Sequence, residues 1–112
     1  METEMLVGQK CVACEGGTPP LTREEAEGYM AQTPGWNLSE DGLRISRKFV
    51  FKDFKESMAF INKVAELAEA EGHHPDIHCS WNKVTLELTT HAIKGLSKND
   101  FILAAKTNAL LA

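Results

Sequence analysis

The chain lacks the marks of several protein classes. Its 112 residues hold three cysteines, an odd number, and so offer no disulfide framework. No apolar run approaches the ~18–20 residues of a membrane span. Basic residues number 12 against 16 acidic ones, for a formal net charge of -4. The basic stripe of a sequence-independent nucleic-acid binder is missing. Glu2 and Glu4 stand at the start with no apolar stretch of signal-peptide length beside them, so the expected setting is cytoplasmic. Hydrophobic residues are 43 % and charged residues 25 %, which argues against wholesale disorder or a collagen-like chain. A chain of this length buries roughly two-thirds of its unfolded surface, enough for one core.

Cys11 and Cys14 form a C-x-x-C. A zinc site of this type needs a second ligand pair, and only Cys79 and distant histidines remain. A redox pair opens a helix, whereas Gly16-Gly17 and Pro19-Pro20 follow here. Neither metal nor redox chemistry is expected of the pair. Residues 1–20 read as an extended or loosely attached arm, and residues 21–112 as the domain.

Three helix starts share one pattern, Thr22-x-x-Glu25, Asp53-x-x-Glu56 and Ser97-x-x-Asp100. Each places an N-cap acceptor three residues before an acid, as in a capping box. Pro34-Gly35 closes the first helix. In the second, Phe54, Met58, Ile61, Ala65 and Ala68 recur at helical spacing, widened by Phe60, Val64 and Leu67, and this face is expected to lie on a sheet. Gly72 marks its end. The third helix runs from about Lys98 to Leu110 and buries Phe101, Ile102 and Ala105. Strands are expected at 36–38, 43–51, 77–81 and 84–89, from alternation of apolar and polar residues. The order α-β-β-α-β-β-α predicts an α+β fold, an antiparallel four-stranded sheet with helices on one face.

A two-residue loop at Asn82-Lys83 would set Trp81 opposite Val84, Cys79 opposite Leu86 and Ile77 opposite Leu88. These six would form a core face, with Trp81 packed in it. His78 and Glu87 would be exposed cross-strand neighbours. Extended further, the register sets His74 opposite His91 and gathers His73, His74 and His91 at one end of the hairpin. Imidazoles that titrate near neutrality suit proton transfer. They also suit metal binding, and a solvated strand end fits as well. Adjacent histidines in an extended segment point apart, which disfavours His73 and His74 as joint ligands.

The run Glu69-x-x-x-His73-His74-Pro75-x5-Trp81-x9-His91-x8-Asp100 resembles the signature of the pterin-4a-carbinolamine dehydratase family. The resemblance extends to Gly35-Trp36-Asn37, Phe51-Lys52-Asp53-Phe54, Asn82-Lys83-Val84 and Gly95-Leu96-Ser97, from Leu21 to the C-terminus. It implies a hydro-lyase that removes water from 4a-hydroxytetrahydropterin in tetrahydrobiopterin recycling, linked to an aromatic amino-acid hydroxylase. It implies no metal, no cofactor beyond the pterin substrate, no direct nucleic-acid or membrane contact, and a homodimer or homotetramer joined edge to edge.

By that resemblance His73, His74 and His91 are the catalytic residues. His73 and His91 form the acid–base pair, and His74 polarises the 4a-hydroxyl. Gly72, Pro75, Thr89, Thr90 and Ala92 are expected at the substrate, with Thr89 and Thr90 touching the ring through backbone and hydroxyl. Glu69, Asp100 and Trp36 support the site, Asp100 either as a helix cap or as the acid that orients a histidine. Trp36 is either an aromatic wall or a core anchor. Some members carry acids where this chain has Gly72 and Ala92, so negative charge beside the histidines is reduced. The alternative function is a non-catalytic dimerisation module of transcriptional-coactivator type on the same scaffold.

Overall fold

A computed structural model describes residues 5–12 and 18–111. Cys14 lies outside the described residues, and with it the C-x-x-C. The elements are α1 (Arg23–Met30), β1 (Asn37–Leu38), β2 (Ile45–Val50), α2 (Phe54–Glu71), β3 (Asp76–Ser80), β4 (Lys83–Leu88) and α3 (Lys98–Ala109), with short 3-10 turns at Leu6–Gly8 and His91–Ile93. The sheet is antiparallel in the order β1-β2-β4-β3. The expected α+β architecture and element order are present.

Capping starts the helices as the sequence predicts. The Thr22 hydroxyl accepts from Glu25 N at 3.1 Å while Thr22 N donates to the Glu25 carboxylate at 2.9 Å. Asp53 accepts from Glu56 N at 2.9 Å. Each such cap is worth about 1 kcal/mol. The core between sheet and helices is built on Ile45, Phe49, Val84, Leu86, Leu88, Phe60, Val64, Phe101 and Leu103. Phe60 sits between Phe49 and Phe51, with ring centroids 4.7 and 5.0 Å away.

That aromatic cluster sets the rotation of α2, and it corrects the expected stripe. The buried line is Ser57, Phe60, Val64 and Ala68, with Ile61 and Leu67 half-buried. At about 100° per residue, Met58 and Ala65 then turn outward. Phe54 and Met58 are accordingly 51 % and 37 % exposed.

The hairpin register differs from expectation by two residues. Cys79 pairs with Val84, Ile77 with Leu86 and His78 with Thr85. The loop is therefore Trp81-Asn82. Asn82 is held from outside the hairpin: its carbonyl accepts from Phe51 N at 2.8 Å and its amide donates to Phe51 O at 3.0 Å. Trp81 takes a left-handed conformation, φ 52, which costs a bulky residue about 1–2 kcal/mol. It is an exposed turn residue rather than part of the core. Ile77 and Cys79 keep the face of their partners Leu86 and Val84, but all five residues of this edge strand are exposed, so neither is buried as expected. Nor is Glu87 the neighbour of His78. It pairs with Asp76 across β3 and with the Arg44 guanidinium at 3.0 Å.

Residues 5–12 are not loosely attached. Leu6 is fully buried in the core cluster, and its N–H donates to Gln32 Oε1 at 2.8 Å. Lys10 Nζ donates to Ala70 O at 3.1 Å, and Cys11 N to Glu71 Oε1 at 2.9 Å. Glu71 Oε2 holds Lys106 Nζ at 2.7 Å. Burial, the neighbouring Glu71 charge and a hydrogen bond to Glu71 push the Cys11 thiol up to about 12, which leaves it a packing group rather than a nucleophile.

Burial of Glu71 opposes its ionisation. The Lys106 hydrogen bond, the Cys11 N–H and the charges of Lys106 and Lys10 outweigh it, and the carboxyl is held below its ordinary 4.5. A lowered folded-state pKa stabilises fully above the unfolded value and is lost as pH falls through the folded one. Docking of residues 10–12 is therefore expected at neutral pH and weakens below about 4.5. Hydrogen exchange of the Cys11 amide, corrected for intrinsic rates, should show this acid step in wild type and not in Glu71→Ala. Identical pH profiles would refute it.

Candidate active site

Three segment ends meet at one edge of the sheet. The first is the exit of α2. Gly72 adopts φ 68, a left-handed conformation that favours glycine. Gly72 N and His73 N both donate to Ala68 O, at 2.9 and 3.2 Å, closing the helix as the sequence predicts. The bend delivers His73, His74 and Pro75 into β3. The second is the exit of β4, where Thr90 bridges Gly95 and His91 opens a 3-10 turn. Gly95 has no room for a side chain, since Pro20 Cβ lies 2.7 Å from where its Cβ would stand. The third is the first turn of α3, from Ser97 to Asp100.

Asp100 joins all three. It is fully buried and accepts from three groups. His73 Nε2 lies 2.6 Å from Oδ1. Thr90 Oγ1 and Ser97 N donate to Oδ2 at 2.8 and 2.9 Å. A buried carboxylate is tolerated only when hydrogen-bonded in this way. Asp100 thus takes both of its expected parts, helix cap and histidine partner.

Since the Asp100 carboxylate only accepts, Nε2 of His73 carries the proton in the neutral ring, and Nδ1 is left as its acceptor. The His73 side chain is 12 % exposed. His74 points the other way, to Glu69 Oε2 at 2.6 Å, with side chains 58 % and 78 % exposed. An exposed pair of this kind contributes about 0–1 kcal/mol. His91 is exposed.

A cavity of about 280 Å³ lies among these groups, lined by Val12, Gly72, His73, His74, Thr89, Thr90, His91, Ala92 and Asn99. It falls at the small end of ligand sites, which run from about 300 to 1,000 Å³. All three histidines reach it, as do Gly72, Thr89, Thr90 and Ala92. Pro75 is not among the lining residues. Trp36 lies in the core, 5 % exposed, packed edge-on against Phe49 with its Nε1 donating to Asn108 Oδ1 at 3.0 Å. It is a core anchor and not a wall of the site. The Thr89 hydroxyl donates to Leu43 O at 2.7 Å, and that of Thr90 is committed to Asp100 and Ser97. Both hydroxyl protons are thus engaged within the protein, which leaves each hydroxyl oxygen and the backbone as the groups that face the cavity. Val12 and Asn99 join the site without any signal in the sequence that marks them for it. No three His, Cys, Asp or Glu side chains converge as a metal site would among the described residues, and no helix there is long and apolar enough to cross a membrane.

Imidazoles around a small cleft, one of them held by a buried carboxylate, are groups suited to accepting and donating protons near neutrality. Residues 19–110 match the family model described as pterin 4 alpha carbinolamine dehydratase. A protein of Cupriavidus pinatubonensis, provisionally named pterin-4-alpha-carbinolamine dehydratase 1, is 46 % identical over 98 % of this chain and 95 % of its own. A Nitrosomonas eutropha protein with the same provisional enzyme name is 51 % identical over 95 % of this chain and 93 % of its own. The crystal structure of a transcriptional coactivator/pterin dehydratase from Brucella melitensis matches with a TM-score of 0.78 and 32 % identity, covering 83 % of this chain and 99 % of that one. A pterin dehydratase-like protein identified as a RuBisCO assembly factor shares the fold, with a TM-score of 0.59 at 22 % identity. The chain belongs to the pterin-4-alpha-carbinolamine dehydratase family.

Asp100→Asn gives a direct test of the His73 geometry. Ser97 N can only donate, so the amide oxygen must stay toward it. The amide NH2 then faces His73, whose Nε2 must become an acceptor. The variant should fold with a loss of about 1.5–3 kcal/mol. The 15N spectrum should show the His73 proton moved from Nε2 to Nδ1. An unchanged His73 signature would overturn the assignment.

Proposed function

We propose that this protein dehydrates 4a-hydroxytetrahydropterin to quinonoid dihydropterin. The observation that carries the reading is the His73–Asp100 pair at 2.6 Å on the wall of a cavity that His74 and His91 also line. Family membership supplies the substrate class. In the reaction the C4a–O bond breaks and the hydroxyl leaves as water after taking a proton. N5 gives up its proton, and its electron pair forms the C4a=N5 bond. One group must donate and another accept. General acid–base catalysis of this kind is worth about 10²–10⁴-fold.

His73 has its Nε2–H fixed by Asp100, so its remaining nitrogen suits the base. His91, which lines the same cavity, serves as the acid, and His74 binds and polarises the 4a-hydroxyl. Because water is expelled in one step on the pterin itself, the chemistry asks for no second cofactor. The setting is tetrahydropterin recycling beside an aromatic amino-acid hydroxylase.

The test follows the decay of the carbinolamine substrate, generated by a phenylalanine hydroxylase, with and without the protein. Wild type should accelerate decay, and His91→Ala should lose about 100-fold or more of that acceleration. A folded wild type without effect would sink the enzyme reading. It would leave a protein-binding module of coactivator type, in line with the double description of the Brucella melitensis relative.

We also infer a homo-oligomer joined through β3. This edge strand exposes its whole length, including Ile77 at 38 %, and long uncovered edges invite pairing with another chain. Sedimentation should show a dimer or larger that Ile77→Lys weakens. A monomeric wild type would remove the proposal.

A further inference from the structure

Residues 10–12 lie across the two elements that carry the histidine–carboxylate pair. Lys10 and Cys11 bind Ala70 and Glu71, the last turn of α2 before His73. Cys11 Sγ reaches Asn99 O at 3.6 Å, next to Asp100. Val12 is held by one side chain at both of its backbone groups. Val12 N donates to Asn99 Oδ1 at 3.0 Å, and Asn99 Nδ2 donates to Val12 O at 2.5 Å. Asn99 is itself 5 % exposed, so this is a fixed clamp. The Val12 side chain is 71 % exposed and lines the cavity with the three histidines.

An exposed valine on a clamped backbone, the largest apolar side chain among residues that otherwise include three histidines, two threonines, Gly72, Ala92 and Asn99, can offer apolar contact to a flat ligand. It offers no proton and no charge. It also lies outside the segment that the family model matches, residues 19–110.

We propose that Val12 is a substrate-contact residue for the pterin and that Asn99 is the positioning residue that holds it there. The proposal rests on the dehydratase reading. Val12 contributes binding common to ground and transition states, so its loss raises KM and leaves kcat in place. His91→Ala, by contrast, acts on kcat.

The experiment uses the full-length chain. Val12→Ala, Val12→Trp and Asn99→Ala are compared with wild type in the dehydration assay, which yields KM and kcat separately. Their Kd for 7,8-dihydropterin, a ligand with no hydroxyl to lose, is measured by fluorescence titration. Because Val12 is exposed, its variants should keep the wild-type melting temperature. Truncation to Ala should raise both KM and Kd by about 3- to 10-fold while kcat stays within about twofold. Val12→Trp should weaken binding further by filling the mouth of the cavity. Asn99→Ala should move Kd in the same direction, and the exposed Val12 variants carry the test if it does not fold.

An active wild type whose KM and Kd are unmoved by both Val12 substitutions would overturn the proposal while leaving the dehydratase reading intact. A fall in kcat at unchanged KM would also overturn it. A wild type that neither turns over nor binds the pterin would overturn both together.

Discussion

The buried carboxylate of Asp100 is the constraint on which the rest of this site depends. Moving a carboxylate out of water is costly enough that it must be met by donors. Here the donors come from three places in the chain: the loop after α2, the end of β4 and the first turn of α3. The carboxylate is therefore satisfied only when the hairpin, the long helix and the last helix are in their final arrangement. Correct folding and correct orientation of His73 are one event. The close approach of Pro20 to Gly95 and the bond from Leu21 N to Leu96 O at 2.8 Å fasten the same loop from the other side.

Local signals in the sequence are strong, and the structure follows them. Thr22, Asp53 and Ser97 cap three helices, and Gly72 ends the second, because each signal acts over three or four residues of backbone. Signals that depend on distant partners are weaker. Strand alternation places the two-residue loop of the hairpin one residue late, because nothing within it shows that Asn82 is bonded to Phe51, 31 residues earlier. Periodicity draws the apolar stripe of α2 through Phe54 and Met58, because it does not say which of two adjacent lines the sheet selects. Phe60, lodged between Phe49 and Phe51, makes that choice.

The site divides in the same way. Strand geometry gathers the histidines even with the register off by two, because such a slip preserves faces. The link between Asp100 and a histidine comes only with the family resemblance, and the structure adds that the histidine is His73. Trp36 carries two readings in the sequence, and its indole bond to Asn108 together with its packing on Phe49 leaves the core one. Val12 and Asn99 are not legible at all. Their contact spans 87 residues, and a valine after a cysteine in a glycine- and proline-rich arm carries no pattern of its own.

The three imidazoles are consequently not equivalent. His73 is nearly enclosed, with one nitrogen committed to a buried carboxylate that is itself anchored by a backbone N–H. His74 is bonded only to Glu69 on an exposed surface, where the side chains can part at little cost. His91 is exposed at the start of a short 3-10 turn. A group fixed before substrate arrives needs no reorganisation when charge develops, whereas mobile groups must be ordered by the ligand. Preorganisation among the imidazoles is concentrated in His73, and on the proposed dehydratase reading the part left to binding falls on His74 and His91. A small fold can hold such an arrangement because one buried carboxylate fixes His73 while His74 and His91 beside it stay exposed.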